Sequence, residues 1–439
     1  MARWLKWLAC LAASIIYGSA ATENAADMAP AVSASVSTAP AAATAPPAET
    51  GKDSAKPQPP MPSMAEMGKT NVFVHDPSTV IKDKDTYWVF CTAQRGDRGV
   101  SSRFSKDLVH WQNGPAVLST MPEWVPDAVG RTVTGFWAPD ITRSKDGYRL
   151  YYAVSTFGSR TSAIALATSP TLDPADPNYK WTDRGIVFQT HAPAGGVPGD
   201  NFNAIDPAII NEPDGKMWMC FGSFWQGIKL IELDPATGKR IAPDSRIYSL
   251  ATNNNSSHDV EASYIFKHDG YYYLFVDWGR CCQGIYSTYK IMMGRSKEIT
   301  GPYLDKNGVD LAKGGGTLFL GSEGDFVGPG HAGIIEDNGK FWFSCHFYDA
   351  SGGPTGGTLA VRPLRWEADG WPAVDPKQNY VAENTRVNPR GQRGGNAGGT
   401  GRGRGRAGTG RATGTGTGAA SGASSNSAAA APAQSSSSG

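Results

Sequence analysis

The chain has 439 residues, 53 of them glycine and 30 proline, with 18% charged residues and a formal charge of +1. That balance hides an asymmetry: the last 54 residues hold seven arginines and no acid, while the body, residues 70–385, holds 29 basic against 35 acidic residues. A mildly acidic body argues against a nucleic-acid groove in the fold, because phosphate recognition needs clustered positive charge.

In chain order, residues 1–20 carry Arg3 and Lys6, an apolar run, and then Gly18-Ser19-Ala20. This is the order of a secretory signal peptide, and the run is too short to span a bilayer. It predicts a secreted or periplasmic protein without a membrane anchor. Residues 21–69 are rich in Ala, Pro, Ser and Thr and read as a disordered linker, since they offer too little apolar surface to offset ordering entropy. From Arg386 the chain turns to Gly, Arg, Thr, Ser and Ala, which predicts a disordered tail over 386–439. Its GRGRGRAGTGR run (401–411) has the composition of an anion-binding segment, but on an exported protein a solvated tail is the simpler reading. The folded unit is then residues 70–385, one large all-β domain expected to act as a monomer.

Within that unit five segments share one layout. They are HDPSTVIKDKDTYWVFCTA from His75, APDITRSKDGYRLYYAVST from Ala138, IDPAIINEPDGKMWMCFGS from Ile205, VEASYIFKHDGYYYLFVDWG from Val260 and GHAGIIEDNGKFWFSCHFY from Gly330. Each opens on a polar residue (Asp76, Asp140, Asp206, Glu261, His331), continues as a short strand, turns at DKD, DG or NG, and closes on an aromatic strand. DG and NG between alternating apolar runs are strong hairpin signals. The leading residues are spaced by 64, 66, 55 and 70 positions, room for a four-stranded blade and a loop. Five such blades make a five-bladed β-propeller, with no helix of useful length between them.

If each leading residue begins the innermost strand, all five face one pocket. An isolated Asp at a strand start more often caps a turn; five in register point to a site. Two carboxyl groups flanking a bond are what glycoside hydrolysis requires, one protonated to donate and one ionised to activate water. A third carboxylate nearby raises the donor's pKa. Trp137 and Trp225 are placed to stack on sugar rings, although core packing is the commoner role of a tryptophan. Five cysteines (Cys91, Cys220, Cys281, Cys282 and Cys345) follow the signal-like segment; none has the CxxC spacing of a zinc site. The adjacent pair Cys281-Cys282 is open between a vicinal disulfide and two thiols.

The stretches HDPS (75–78), FWAPD (136–140), AIDPAI (204–209), GSFWQGI (222–228), VEAS (260–263) and GPGHAGI (328–334) resemble the endo-arabinanase branch of glycoside hydrolase family 43. The resemblance covers most of residues 70–350 and implies a propeller that hydrolyses internal α-1,5-L-arabinofuranosidic bonds of arabinan with inversion. By position, Asp76 resembles the general base, Glu261 the general acid, and Asp206 the carboxylate that tunes and orients that acid. His331 resembles the residue that holds a hydrated cation, calcium, beneath the substrate. Asp140 is assigned to structure or substrate orientation, and with Trp137, Ser223 and Trp225 completes the substrate-binding set. Inversion implies a base–acid separation of about 6.5–9.5 Å. Gln226 departs from the glycine more usual in GSFWQGI, and WGRCCQG (278–284) resembles a Cys-Cys element of the branch. The alternatives are an exo-acting α-L-arabinofuranosidase or β-xylosidase of the same family, a non-catalytic sugar-binding propeller, and a retaining fructan-cleaving propeller whose acid sits next to cysteine, as Glu261 does not.

Overall fold

Tight turns set the architecture. Asp269 and Gly270 both have positive φ (46° and 71°), as do Asn338 and Gly339 (52° and 71°), the backbone of the type I′ turn whose twist matches that of paired strands. In this computed structural model residues 70–374 are described, apart from Asn71, Arg95, 195–198 and 352–355. The signal peptide, linker and tail read over 1–20, 21–69 and 386–439 lie outside the described residues, as does the end of the body from 375.

Among the described residues, twenty strands form five antiparallel sheets, each a meander of four consecutive strands. The first holds β1 (Ile81–Asp83), β2 (Thr86–Cys91), β3 (Ser101–Ser105) and β4 (Trp111–Asn113); the second β5 (Trp137–Ser144), β6 (Gly147–Val154), β7 (Ser162–Ser169) and β8 (Thr182–Thr190). The third holds β9 (Ala208–Asn211), β10 (Met217–Phe221), β11 (Ile228–Leu233) and β12 (Tyr248–Ala251). The fourth holds β13 (Val260–His268), β14 (Tyr271–Trp278), β15 (Lys290–Ser296) and β16 (Thr317–Leu320). The fifth holds β17 (Phe326–Asp337), β18 (Lys340–Asp349), β19 (Thr358–Trp366) and β20 (Pro372–Val374). The strands β5, β9, β13 and β17 touch in succession, so the first strand of each blade is innermost. The five sheets form a five-bladed β-propeller.

Second strands read as near-continuous apolar runs (TYWVFC, GYRLYYAV, MWMCF, YYYLFVDW, KFWFSCHFYD) because blades pack on both of their faces. Phe90, Leu150, Phe221, Leu274, Phe275 and Phe343 are buried there, each stabilising the fold by about 1.5–3 kcal/mol relative to exposure. The ring closes where the segment before β1 meets blade five: Val74 N–H donates to Gly357 O at 2.9 Å, and Lys82 and Tyr87 of blade one both bond Asp337. Among the described residues, no helix is long and apolar enough to cross a membrane.

Just before the first strand of blades one and three, and on that of blades two, four and five, stands one non-glycine residue with positive φ: in chain order Asp76 (50°), Ala138 (38°), Asp206 (56°), Ala262 (51°) and His331 (63°). Register shifts lie at the same places in blades two, four and five, as expected of bulges that re-aim side chains beside a site.

Candidate active site

Asp76 stands at the first of these left-handed positions, and its N–H donates to His346 Nδ1 at 3.2 Å. Its Oδ2 accepts from Thr92 Oγ1 at 2.5 Å, and its Oδ1 lies 2.8 Å from His75 Nδ1 and 3.4 Å from His331 Nδ1. Burial would raise its pKa, but the charge of His75 and hydrogen bonding from the two histidines hold it well below the ordinary value. Burial likewise opposes charge on His75, yet Asp76 raises it well above 6.5. His346, stacked on His75 at 4.2 Å, is kept neutral by burial and by the charge of His75. It can therefore accept the Asp76 N–H. Asp76 is an ionised acceptor in a preset orientation.

Glu261 has the opposite treatment. Burial raises its pKa, and the nearby Asp76 charge raises it further. Ser223 Oγ donates to Oε2 at 2.7 Å and the Tyr289 hydroxyl donates to Oε1, which partly offsets that rise. Tyr289 itself is pushed well above 10 by burial, so it stays a donor. Asp206 is raised by burial and by the charge of Glu261, and its Oδ2 accepts the N–H of Ala262 at 3.2 Å. The third carboxylate thus grips the backbone one residue beyond Glu261.

Asp277, facing Glu261 across the β13–β14 pair, is fully buried; Oδ2 accepts the His331 N–H at 2.7 Å, and Oδ1 has no hydrogen-bond partner. His331 Nδ1 faces Asp76 Oδ1 at 3.4 Å. The orphaned Asp277 oxygen beside this histidine fits a hydrated cation, whose water shell would satisfy it. Despite burial, Asp76 raises His331 to about 9, so a cation would take the place of a proton there. His75, Asp76 and His346 also bring ligand atoms within 4.8 Å of one another, but two imidazoles suit zinc better than calcium.

Asp76, Asp206 and Glu261 line one cleft of about 610 Å³ with Trp137, Phe157, Asn203, Ser223, Trp225, Cys281, Cys282 and Tyr289. Trp137 packs against Phe157 at 5.1 Å, and the Arg160 guanidinium sits 5.4 Å from the Trp225 ring. Asp140 is not in the cleft wall. Its Oδ1 accepts Thr79 N–H at 3.0 Å and its Oδ2 accepts Ile209 N–H at 2.8 Å. It therefore ties the inner strand of blade two to those of blades one and three, which corrects its place in the substrate-binding set. The wall also excludes His331, which lies beneath Asp76, and Gln226, whose N–H bonds Asn201 O. His75, Asp277, Tyr289 and His346 were not singled out from sequence. Asp277 and His346 had a signal, a polar residue inside a buried aromatic strand; Tyr289 had none. Cys281 and Cys282 bring their Sγ atoms to 2.7 Å from each other at the cleft.

Residues 70–372 match the profile described as glycosyl hydrolases family 43. The chain is 38% identical over 330 residues to an extracellular exo-α-(1→5)-L-arabinofuranosidase of Cellvibrio japonicus (73% of this chain, 92% of the relative). It is 39% identical over 308 residues to an extracellular endo-α-(1→5)-L-arabinanase of Bacillus subtilis (70% and 89%). Among solved structures, the Cellvibrio cellulosa α-L-arabinanase complexed with arabinohexaose superposes with a TM-score of 0.64 at 38% identity, covering 70% of this chain and 96% of the other. With its propeller, its carboxylate-lined cleft and a match across the whole described body, the chain belongs to glycoside hydrolase family 43.

Proposed function

We propose that the protein is an extracellular endo-acting arabinanase that cleaves internal α-1,5-L-arabinofuranosidic bonds with inversion of configuration. The observation that carries this reading is the opposite electrostatic treatment of two carboxyl groups lining one cleft. Asp76 is held ionised by His75, while burial favours a proton on Glu261. Groups whose surroundings push their pKa values apart are suited to base and acid roles.

In this mechanism Asp76 takes a proton from a water that attacks the anomeric carbon, and Glu261 protonates the departing oxygen in the same displacement. Glu261 becomes an anion as the bond breaks. The hydroxyls of Ser223 and Tyr289, already aimed at its oxygens, then bind the developing charge more strongly than they bind the acid, which favours the transition state. Asp206 holds the strand that carries Glu261. His331 would hold a hydrated calcium ion, which supplies positive charge under the substrate.

Endo action is supported by the name of the Bacillus subtilis relative and by a cleft lined from several blades, with Trp137 and Phe157 from blade two and Cys281–Gln283 from blade four. The extracellular site is supported by the names of both relatives and by the signal-like start of the chain. Linear arabinan digested by the purified chain is expected to yield a ladder of oligomers with inverted anomeric configuration by early-time NMR. Arabinose as the sole product would establish exo action instead, and retention would overturn the assignment of Asp76 as base.

A further inference from the structure

A second cavity, of about 800 Å³, lies at the seam between blades two and three. Its wall includes Ser144 at the end of β5, Arg149 near the start of β6 and Lys239 in the turn after β11. Trp137, at the other end of β5, lines the catalytic cleft. The cavity therefore opens on the opposite face, roughly 20 Å away at a strand rise of about 3.3 Å per residue. Four cations line it, Arg149, Lys180, Arg184 and Lys239, against one acid, Asp146. Among the described residues none of the four has a carboxylate within ion-pair distance. Arg149 is buried and donates to Met217 Sδ at 3.6 Å and Ala236 O at 2.8 Å, neither of them charged. Lys239 Nζ donates to the carbonyls of Arg184, Gly185 and Ile186 at 2.6, 2.7 and 2.8 Å, so it lends the cavity charge rather than a free donor. Burial lowers Lys239 to about 8, and the charge of Asp183 offsets only part of this, as expected of a cation without a close counter-ion. Lys180 and Arg184 are exposed, and Arg184 spends only Nε, on Thr168 Oγ1 at 2.9 Å. Like charges gathered in this way repel one another, in a body that holds more acids than bases.

We propose that this cavity is a second carbohydrate-binding site, separate from the catalytic cleft, that takes an acidic polysaccharide whose sugars carry carboxylates. Its volume of about 800 Å³ exceeds the 610 Å³ of the cleft, which suits linked sugars rather than a single small anion. Hydroxyls of Ser144, Thr168, Thr182 and Thr237 share the wall with the cations and match sugar hydroxyls. A guanidinium such as that of Arg184 meets a carboxylate with paired N–H groups. A nucleic acid fits less well, because no aromatic ring in the wall is open for base stacking: Tyr148 is buried. Once occupied, the site holds the protein on a charged polymer while the distant cleft stays free for a neutral chain, raising its local concentration. Binding here needs no catalysis, so it stands apart from the arabinanase reading.

The probe is an unesterified oligogalacturonate, titrated calorimetrically into the full chain at low ionic strength, with its fully methyl-esterified form as the uncharged control. Saturable binding is expected that weakens as salt is added, with the ester at least tenfold weaker. Lys180→Glu combined with Arg184→Glu should weaken binding at least tenfold, while the Tm and the turnover of linear arabinan stay unchanged. Lys180→Glu alone, at an exposed side chain, should weaken it at least threefold, so a folding defect in the pair does not decide the matter. The arginines of the 401–411 run are a rival source of positive charge. A chain carrying Arg402→Ser, Arg404→Ser, Arg406→Ser and Arg411→Ser should therefore bind the probe as the parent does. Absence of binding to the parent, full affinity in the Lys180→Glu/Arg184→Glu chain, or loss in the tail variant overturns the cavity as the site. Equal binding of acid and ester overturns carboxylate recognition. Tighter binding of a single-stranded oligonucleotide of equal charge overturns a polysaccharide as the ligand. None of these binding readouts depends on arabinan being the substrate, so the site and the proposed function can fail separately.

Discussion

The Tyr289 hydroxyl donates to Oε1 of Glu261 across the intervening strand β14, linking the residue just before β15 to the start of β13. A donor to a carboxylate favours its ionised form, so this bond lowers the pKa that burial raises. Tyr289→Phe removes the donor and leaves the ring in place. Glu261 must be protonated to act, so raising its pKa further moves the basic limb of the pH profile of kcat/KM to higher pH. At the same time the anion formed during bond cleavage loses a stabilising bond. The kcat should fall by roughly tenfold to a hundredfold, in line with about 1.5–3 kcal/mol for a hydrogen bond to a charged group. An unchanged basic limb with an unchanged kcat would show that Tyr289 only fills space.

Asp140 gives a contrasting prediction, because both its oxygens are spent on backbone N–H groups of neighbouring blades. Asp140→Ala leaves two buried donors without partners. The expected loss is about 3 kcal/mol of stability, since orphaned buried donors cost about 1–3 kcal/mol each. Denaturant melts should show it, while the KM for arabino-oligosaccharides stays within twofold. A large rise in KM with unchanged stability would return Asp140 to the substrate.

The same residue shows where sequence reading stops. Hairpin turns and aromatic second strands are local features, so the five blades and the first hairpin of each were legible from DG, NG and alternation. The register of the inner strands was not. Aligning by first polar residue equates Asp76, Asp140, Asp206, Glu261 and His331, but the shared backbone position is held by Asp76, Ala138, Asp206, Ala262 and His331. Asp140 therefore falls two residues deeper and turns into the wall between blades, and Glu261 falls one residue earlier. A bulge inserts one residue without changing composition, so pattern alone does not reveal it. Tyr289 was hidden for a related reason: it reaches Glu261 only through the pairing of β13, β14 and β15.

Phe157 is 82% exposed at the cleft, held beside Trp137. An aromatic side chain this open in a sugar cleft has no packing role to lose, so Phe157→Ala should leave thermal stability unchanged. Its contribution to binding is about 0.5–1.5 kcal/mol on the scale of ring contacts, which predicts a KM for linear arabinan raised by roughly threefold to tenfold. Trp137→Ala should raise KM at least as much. Isothermal titration of arabinohexaose into a Glu261→Gln background would separate this binding loss from turnover. Equal affinity in that background would remove both rings from the binding surface.

Glu261→Gln and Asp76→Asn test the paired roles directly. Gln keeps the size of Glu, and its carbonyl oxygen can still accept from either Ser223 or Tyr289 but not both; it has no acidic proton to give. Asn at 76 keeps the contact with Thr92 but cannot take a proton from water. Each should reduce kcat on arabinan by a factor on the order of 10²–10⁴, the usual worth of a general acid or base. An aryl arabinoside with an acidic leaving group needs little protonation, so Glu261→Gln should recover most activity on it and Asp76→Asn should not. Equal losses on both substrates would mean that Glu261 is not the acid.

The remaining prediction concerns the cation. Asp277 Oδ1 is buried without a hydrogen-bond partner beside His331, and the water shell of a calcium ion would satisfy it. A ligand that binds only the folded state stabilises it by about 2.7 kcal/mol at a hundred times its Kd, which for a body of this size raises the Tm by roughly 5 °C. Treatment with a chelator should therefore lower the Tm by about that amount, and calcium should restore it. His331→Ala should abolish the response, with a Tm that neither falls with chelator nor rises with calcium. Thermal shift needs no substrate, so it tests the site separately from turnover. If His331→Ala keeps the full calcium response, the ion binds elsewhere.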